Sequence, residues 1–220
     1  MSDLLLVPSP LLGARAWAPV AEWLAGEGRS ARVVDTAGVR APDDLVEAVV
    51  LASGTQPVVL VPHSNAGLAM PAVGSRVEVC ATVFVDAALP LADGETALAP
   101  PGLLAMLDTL ADDDGLLPPW TQWWDDLTGL FPDDATRAAI EAGQPRLPLA
   151  YFRSTLPVPD GWVSGACGYL AFGDTYAEEV ALARSHGWPV TLLDGRHLHQ
   201  LHDPAGVGRA VLDLVDALTG

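Results

Sequence analysis

The chain has 220 residues, half of them hydrophobic, which suits one domain with a large buried core. Its formal net charge of −17 argues against binding to nucleic acid or to an anionic membrane, because either contact needs a basic surface that displaces counterions. Each of its 11 Lys or Arg positions holds arginine, so no lysine can form a Schiff base. No apolar run approaches the roughly 18 residues of a membrane-spanning helix, and no signal segment opens the chain, so we expect a cytoplasmic protein.

Short, apolar, β-branched runs alternate with helical stretches along most of the chain. This alternation is typical of a parallel sheet covered by helices on both faces. It predicts six strands, at residues 4–7, 31–34, 58–61, 81–85, 169–172 and 190–193. It also predicts helices near residues 16–26, 42–52, 65–73, 177–186 and 204–218.

The alternation breaks between residues 90 and 160, where Pro, Asp and Trp cluster. We predict a helical lid at residues 91–159, inserted into a core made of residues 1–90 and 160–220. Residues 103–110 have helical periodicity, and a Pro-Asp-Asp sequence predicts a helix over 133–142. The side chains of Trp120, Trp123 and Trp124 either line a substrate pocket or attach the lid to the core.

Residues 58–67, Val-Val-Leu-Val-Pro-His-Ser-Asn-Ala-Gly, predict a buried strand, a sharp turn and the start of a helix. This order resembles the α/β-hydrolase-fold superfamily, which carries Gly-x-Ser-x-Gly where a central strand ends. The resemblance implies that Ser64 is the nucleophile and that His63 lies beside the pocket. Pro62 and Ala66 replace the two glycines of the motif, so the alternative is a turn serine without a catalytic role.

A histidine-rich loop follows the last predicted strand and ends at Asp203-Pro204, where the last predicted helix begins. It resembles the superfamily's base loop, and the register of the resemblance selects His197. An imidazole titrating near pH 6.5 can accept a serine proton and return it. His199 could line the pocket, and His202 lies near the helix start. No carboxylate or thiolate at recognised ligand spacing accompanies these histidines, so we expect no metal. The glycines after the first predicted strand do not form Gly-x-Gly-x-x-Gly, so we expect no dinucleotide, and no other cofactor is implied.

Two aspartates compete for the third position of a Ser-His-Asp triad. Asp174 follows the strand predicted at 169–172, which is where the resemblance places the third member, in the chain order Ser, Asp, His. The interval between Asp174 and His197 is long enough for one helix and one strand. Asp86 follows the strand predicted at 81–85, and a carboxylate at this position serves some members of the superfamily. We prefer Asp174, with Asp86 as the alternative.

Acyl transfer also needs two hydrogen-bond donors for the developing oxyanion. The resemblance assigns one to the backbone N–H of Asn65 and the other to the loop after the first strand. Pro10 falls at the donor position of that loop and has no N–H. The N–H of Leu11 or the hydroxyl of Ser9 could replace it, with Pro10 left to line the pocket.

The resemblance therefore implies an enzyme that hydrolyses a small apolar ester, thioester or lactone. Because the oxyanion loop departs from the superfamily's pattern, the alternative is a lyase or cyclase that uses Ser64 and His197 for acid/base chemistry. A binding protein that has lost the chemistry is a third interpretation, since one fold hosts many functions. We expect a small-molecule partner, and a homodimer stays open.

Overall fold

Eight strands and nine α-helices make up the computed structural model, which describes residues 3–220. The strands are β1 (Asp3–Val7), β2 (Ala31–Val33), β3 (Val58–Ser64), β4 (Val79–Ala87), β5 (Gly94–Ala97), β6 (Thr155–Val158), β7 (Cys167–Phe172) and β8 (Val190–Leu193). The helices are α1 (Ala18–Gly26), α2 (Pro42–Ser53), α3 (Met70–Gly74), α4 (Pro101–Leu110), α5 (Asp134–Glu141), α6 (Leu149–Phe152), α7 (Ala177–Ser185), α8 (His199–His202) and α9 (Pro204–Thr219).

Six strands form one parallel sheet in the order β2-β1-β3-β4-β7-β8, which confirms the predicted architecture. The chain adds β2 on one side of β1 and then adds the other four strands of this sheet on the other side. The direction of winding therefore reverses between β1 and β3. In open α/β sheets, a ligand binds in the crevice at the carboxyl ends of the strands where this reversal occurs. The fold thus points to the ends of β1 and β3 as the place of the site.

The sheet is buried on both faces because alternate residues of each central strand enter two different apolar clusters. Leu5 and Leu60 face a cluster that includes α2, α3, α7 and the segment between β4 and β7. Leu4 and Val61 face a second cluster, in which α1 and α9 cover the sheet. This two-sided burial explains why the strands are continuous apolar runs in the sequence and do not alternate with polar residues.

The segment between β4 and β7, which we call the cap, holds α4, α5 and α6. It also contains β5 and β6, which were not predicted and pair with each other antiparallel. Each has four residues, and β6 includes Pro157, so neither has a periodicity that sequence could show. Their pairing brings the two ends of the cap together beside the sheet.

Among the helices of residues 3–220, none combines the length and the apolar character needed to cross a membrane.

Candidate active site

Ser64 lies on a strained turn at the carboxyl end of β3. Its backbone has φ 59° and ψ −134°, and Ser64 and Asp86 are the only non-glycine residues of the described chain with positive φ. Such a backbone costs on the order of 1–3 kcal/mol and persists only where the surroundings enforce it. The chain after the turn packs closely on the end of β4, because a Cβ at Gly67 would collide with the carbonyl oxygen of Ala88. The turn therefore needs its small residue at 67, one position after the Ala66 that the motif aligned with glycine.

The turn directs the Ser64 hydroxyl at the imidazole of His197. Ser64 Oγ lies 3.1 Å from His197 Nε2, within hydrogen-bond distance. The serine is 7% exposed, and the imidazole is 13% exposed. Both predicted partners thus meet at the end of the sheet, in a site that is largely closed to water.

The other imidazole nitrogen is paired with Asp86. His197 Nδ1 lies 2.7 Å from Asp86 Oδ2, and the second carboxylate oxygen accepts the backbone N–H of Phe172 at 2.9 Å. A carboxylate only accepts hydrogen bonds, so Nδ1 donates, and Nε2 of the neutral ring is left to accept the serine proton. Asp86 is fully buried. This arrangement supplies a base whose tautomer and orientation are both fixed.

The preference for Asp174 is corrected by this geometry, because the acid against His197 is the alternative, Asp86. The chain turns sharply after β7 at Gly173, which has φ 64°, and a Cβ there would lie 2.6 Å from the carbonyl oxygen of Gly195. This turn carries Asp174 to the exposed surface at the start of α7. By contrast, β4 continues past its predicted end at 85 and carries Asp86 into the site.

Asn65 directly follows the serine, and two hydrogen bonds hold its side chain in place. Its side-chain amide donates to the carbonyl of Leu98 at 2.9 Å, and its Oδ1 accepts the hydroxyl of Tyr151 at 2.9 Å. Asn65 is the first residue of a short 3₁₀ helix, Asn65–Ala69, so its backbone N–H has no intrahelical acceptor. That N–H is available as the first oxyanion donor.

The loop after β1 does not supply the expected second backbone donor. Pro10 has no N–H, and the N–H of Leu11 donates to Ser9 Oγ at 3.3 Å. The next two amides, of Leu12 and Gly13, donate to the carbonyl of Ser9 at 3.0 and 3.2 Å. In this structure the Leu11 N–H is therefore paired with Ser9, whereas the Ser9 hydroxyl retains a proton to donate.

His63 contacts both the ring and the main chain of His197. The fully buried ring stacks on the His197 ring at 4.7 Å, and its Nε2 donates to the His197 carbonyl oxygen at 3.0 Å. Burial, assisted by the nearby His197, holds the pKa of His63 well below its ordinary value of 6.5, so the ring stays neutral. His63 thus fixes the main chain of His197. The prediction that it lines the pocket is corrected, because its side chain is fully buried.

The other predicted pocket residues divide into two groups. Trp120 lies 6.0 Å from the His197 ring, and the half-exposed Trp124 packs edge-on against Trp120. Trp123 donates its indole N–H to the carbonyl of Pro118 and packs within the cap. His199 packs edge-on against Phe172. Of these four, Trp120 is the one whose ring contacts the base.

Sequence reasoning missed Tyr176. Its hydroxyl lies 3.5 Å from Ser64 Oγ, and its ring centre lies 5.6 Å from that of His197. Its place in the loop after β7, at the carboxyl edge of the sheet, is the signal that could have found it. Over residues 3–220, no group of three or more His, Cys, Asp or Glu side chains is arranged to hold a metal ion.

No family model matches the chain, and no curated protein sequence matches it. Solved structures do match. An extracellular α/β-hydrolase from a Paenibacillus species superposes with a TM-score of 0.77 at 17% identity, over 97% of this chain and 99% of that one. A methylesterase from Arabidopsis gives 0.75 at 12% identity, over 99% and 100%. A mutant of tomato Methylketone Synthase I gives 0.71 at 14% identity, over 99% of both chains.

These likenesses, together with the six-stranded parallel sheet, show that the chain has the α/β-hydrolase fold.

Proposed function

We propose that this protein is a serine hydrolase that cleaves a small, largely apolar ester, thioester or lactone. The observation that supports the proposal is the unbroken line of hydrogen bonds from Asp86 through His197 to Ser64. A buried acid, an oriented imidazole and a serine on a strained turn are the parts that nucleophilic acyl transfer requires.

In the proposed reaction, Ser64 Oγ attacks the carbonyl carbon of the substrate while His197 Nε2 accepts the serine proton. The imidazolium that forms is stabilised by the carboxylate of Asp86, which accepts the Nδ1–H. The Asn65 N–H donates to the oxyanion of the tetrahedral intermediate. His197 then gives its proton to the leaving alcohol or thiol, and a water molecule hydrolyses the acyl-enzyme by the same steps.

The surroundings of the serine support an apolar substrate. Trp120 and Tyr176 both stand against the His197 ring, and Ser64 is almost completely covered. A charged acyl group would lose its hydration in such a site without gaining a paired charge, which is costly. We infer that the acyl portion is short and uncharged.

The alternative is a lyase or cyclase in which Ser64 and His197 move protons and no acyl-enzyme forms. Two observations favour it as a second candidate. In the loop after β1, Pro10 has no N–H, and the N–H groups of residues 11–13 donate to Ser9, which leaves no free backbone donor for an oxyanion. Moreover, the fold is shared with tomato Methylketone Synthase I, whose name describes a synthase and not an esterase.

Covalent labelling with a fluorophosphonate, read by intact mass, tests the proposal. We expect one adduct on the parent protein and none on Ser64→Ala or His197→Ala. Ser185→Ala, an exposed serine at the end of α7, serves as the matched control and should label like the parent. A folded parent that takes up no adduct would contradict the acyl-enzyme proposal and favour the acid/base alternative. If the parent is labelled, untreated protein should then be assayed on panels of short-chain esters, thioesters and lactones.

A further inference from the structure

The backbone offers the oxyanion one hydrogen-bond donor, the N–H of Asn65, where acyl transfer needs two. Removing one of two oxyanion donors lowers kcat by about 100-fold to 1000-fold, so a hydrolase with one donor would be severely impaired. In the superfamily that the sequence resembles, the loop after β1 supplies the second donor. Here Pro10 has no N–H, and the backbone N–H groups of the next three residues all donate to Ser9. A side chain must compensate if Ser64 acts as proposed.

We propose that the hydroxyl of Tyr176 is this missing donor, and that Tyr176 is a catalytic residue that binds the oxyanion formed at Ser64. This inference rests on the proposed function. It names a residue that touches the reacting atoms, since Tyr176 Oη lies 3.5 Å from Ser64 Oγ.

The hydroxyl of Tyr176 has no competing use. Ser64 Oγ is its one hydrogen-bond partner within residues 3–220. Burial, the largest cause, raises the pKa of the Tyr176 phenol above its ordinary value of 10.0, so the group keeps its proton through the neutral range. Tyr176 thus presents a permanent donor at the nucleophile.

The hydrogen bonds of the resting site and of the intermediate are compatible with this role. Before attack, Ser64 donates to His197 and can accept from Tyr176. During attack, the Ser64 proton moves to His197, the new Oγ–C bond forms, and the electron pair of the carbonyl bond moves onto the carbonyl oxygen. That oxygen lies two bonds from Oγ, so the Tyr176 O–H can transfer its hydrogen bond from Oγ to the oxyanion without giving up its proton. When the intermediate collapses, the hydrogen bond returns to Oγ.

The position of Tyr176 is fixed by the fold. It is the N-cap residue of α7, directly after the sharp turn at Gly173 that carries Asp174 outward. The same turn that removes Asp174 from the site therefore brings the phenol into it. Its ring also packs against the His197 ring, which holds the hydroxyl beside Ser64.

The rival donor is the Ser9 hydroxyl, which is buried and accepts the Leu11 N–H. Tyr176→Phe and Ser9→Ala distinguish the two, because each removes one hydroxyl and little volume. Phenylalanine keeps the packing of the ring, so the variant should retain the far-UV circular dichroism and melting temperature of the parent.

The experiment measures two quantities for the parent and both variants: steady-state hydrolysis of a 4-nitrophenyl butyrate substrate, and the affinity of a short-chain trifluoromethyl ketone. The ketone forms a hemiketal with an activated serine and places an oxyanion where the intermediate has one. For Tyr176→Phe, we expect kcat to fall by about 100-fold or more with KM changed by less than about threefold, and the ketone affinity to fall in parallel with kcat. A purely structural role would instead raise KM or lower the melting temperature.

The outcomes separate this inference from the function on which it rests. If the parent neither hydrolyses the ester nor forms the hemiketal, the proposed function fails, and the role of Tyr176 fails with it. If the parent does both and Tyr176→Phe is equal to it, the role of Tyr176 alone is overturned. That role is also overturned if Ser9→Ala shows the expected losses and Tyr176→Phe does not.

Discussion

Replacing each candidate acid by its amide is the sharpest test of the site. In Asp86→Asn, the backbone N–H of Phe172 should retain the amide oxygen, because that N–H can only donate. The amide NH₂ then faces His197 Nδ1 at the 2.7 Å position of the lost oxygen. Nδ1 must accept, the proton moves to Nε2, and the imidazole can no longer take the proton of Ser64. The same substitution in a serine protease triad costs about 10,000-fold in kcat, and we expect a loss of that order here.

Asp174→Asn is the matched control, because Asp174 also follows a sheet strand but lies exposed at the surface. We expect its kcat to stay within about twofold of the parent, since surface substitutions rarely have larger effects. The assay is ester hydrolysis between pH 6 and 9, with circular dichroism as the check on folding. The ¹⁵N shifts of His197 report which nitrogen carries the proton. A large loss in Asp174→Asn, with an active Asp86→Asn, would refute the reasoning.

Three further predictions concern the framework of the site. Gly67→Ala should lower the melting temperature sharply or prevent folding, whereas Gly74→Ala should be tolerated, because the nearest atom to its Cβ is a valine methyl at 3.9 Å; equal melting temperatures would contradict this. Asn65→Ala should cost about 2–5 kcal/mol in urea unfolding, because it leaves two buried hydrogen-bond partners unpaired. His63→Asn should be less sensitive to acid than the parent. The pKa of His63 is about 6.5 in the unfolded chain and lies well below that in the folded state, so below pH 6.5 the unfolded state binds a proton that the folded state does not. The free energy of unfolding of the parent therefore falls as the pH drops below 6.5, by up to about 1.4 kcal/mol per pH unit in urea unfolding. Parallel pH profiles of the parent and the variant would refute this.

The sheet could be predicted from the sequence because its strands are buried on both faces and therefore form uninterrupted apolar runs. The nucleophile turn could also be located, although β3 continues three residues beyond its predicted end, through Pro62 and His63 to Ser64. Proline is accommodated there because it lies at the end of the ladder, where Val7 of β1 pairs with it.

The acid could not be chosen from the sequence, and the reason is geometric. Asp86 lies near the end of β4 and Asp174 lies just after β7, and the carboxyl ends of these two buried strands meet at the same edge of the sheet. The choice depends on the direction of the backbone turn at Gly173, where the chain has a positive φ. A glycine permits that turn but does not specify its direction. The position of Tyr176 beside Ser64 could not be predicted for the same reason, since it depends on where the chain goes after the turn.

The base loop shows why the site depends on tertiary contacts more than on its own sequence. His197 is held by Asp86 at its ring and by His63 at its carbonyl, and these two residues come from different strands. On the outer side, Arg196 donates to the carbonyl of Thr128 in the cap at 2.8 Å. The residue next to His197 therefore connects this loop to the cap. The loop is thus anchored on three sides: at the cap through Arg196, at β4 through Asp86, which pairs with the His197 ring, and at β3 through His63, which pairs with the His197 carbonyl oxygen.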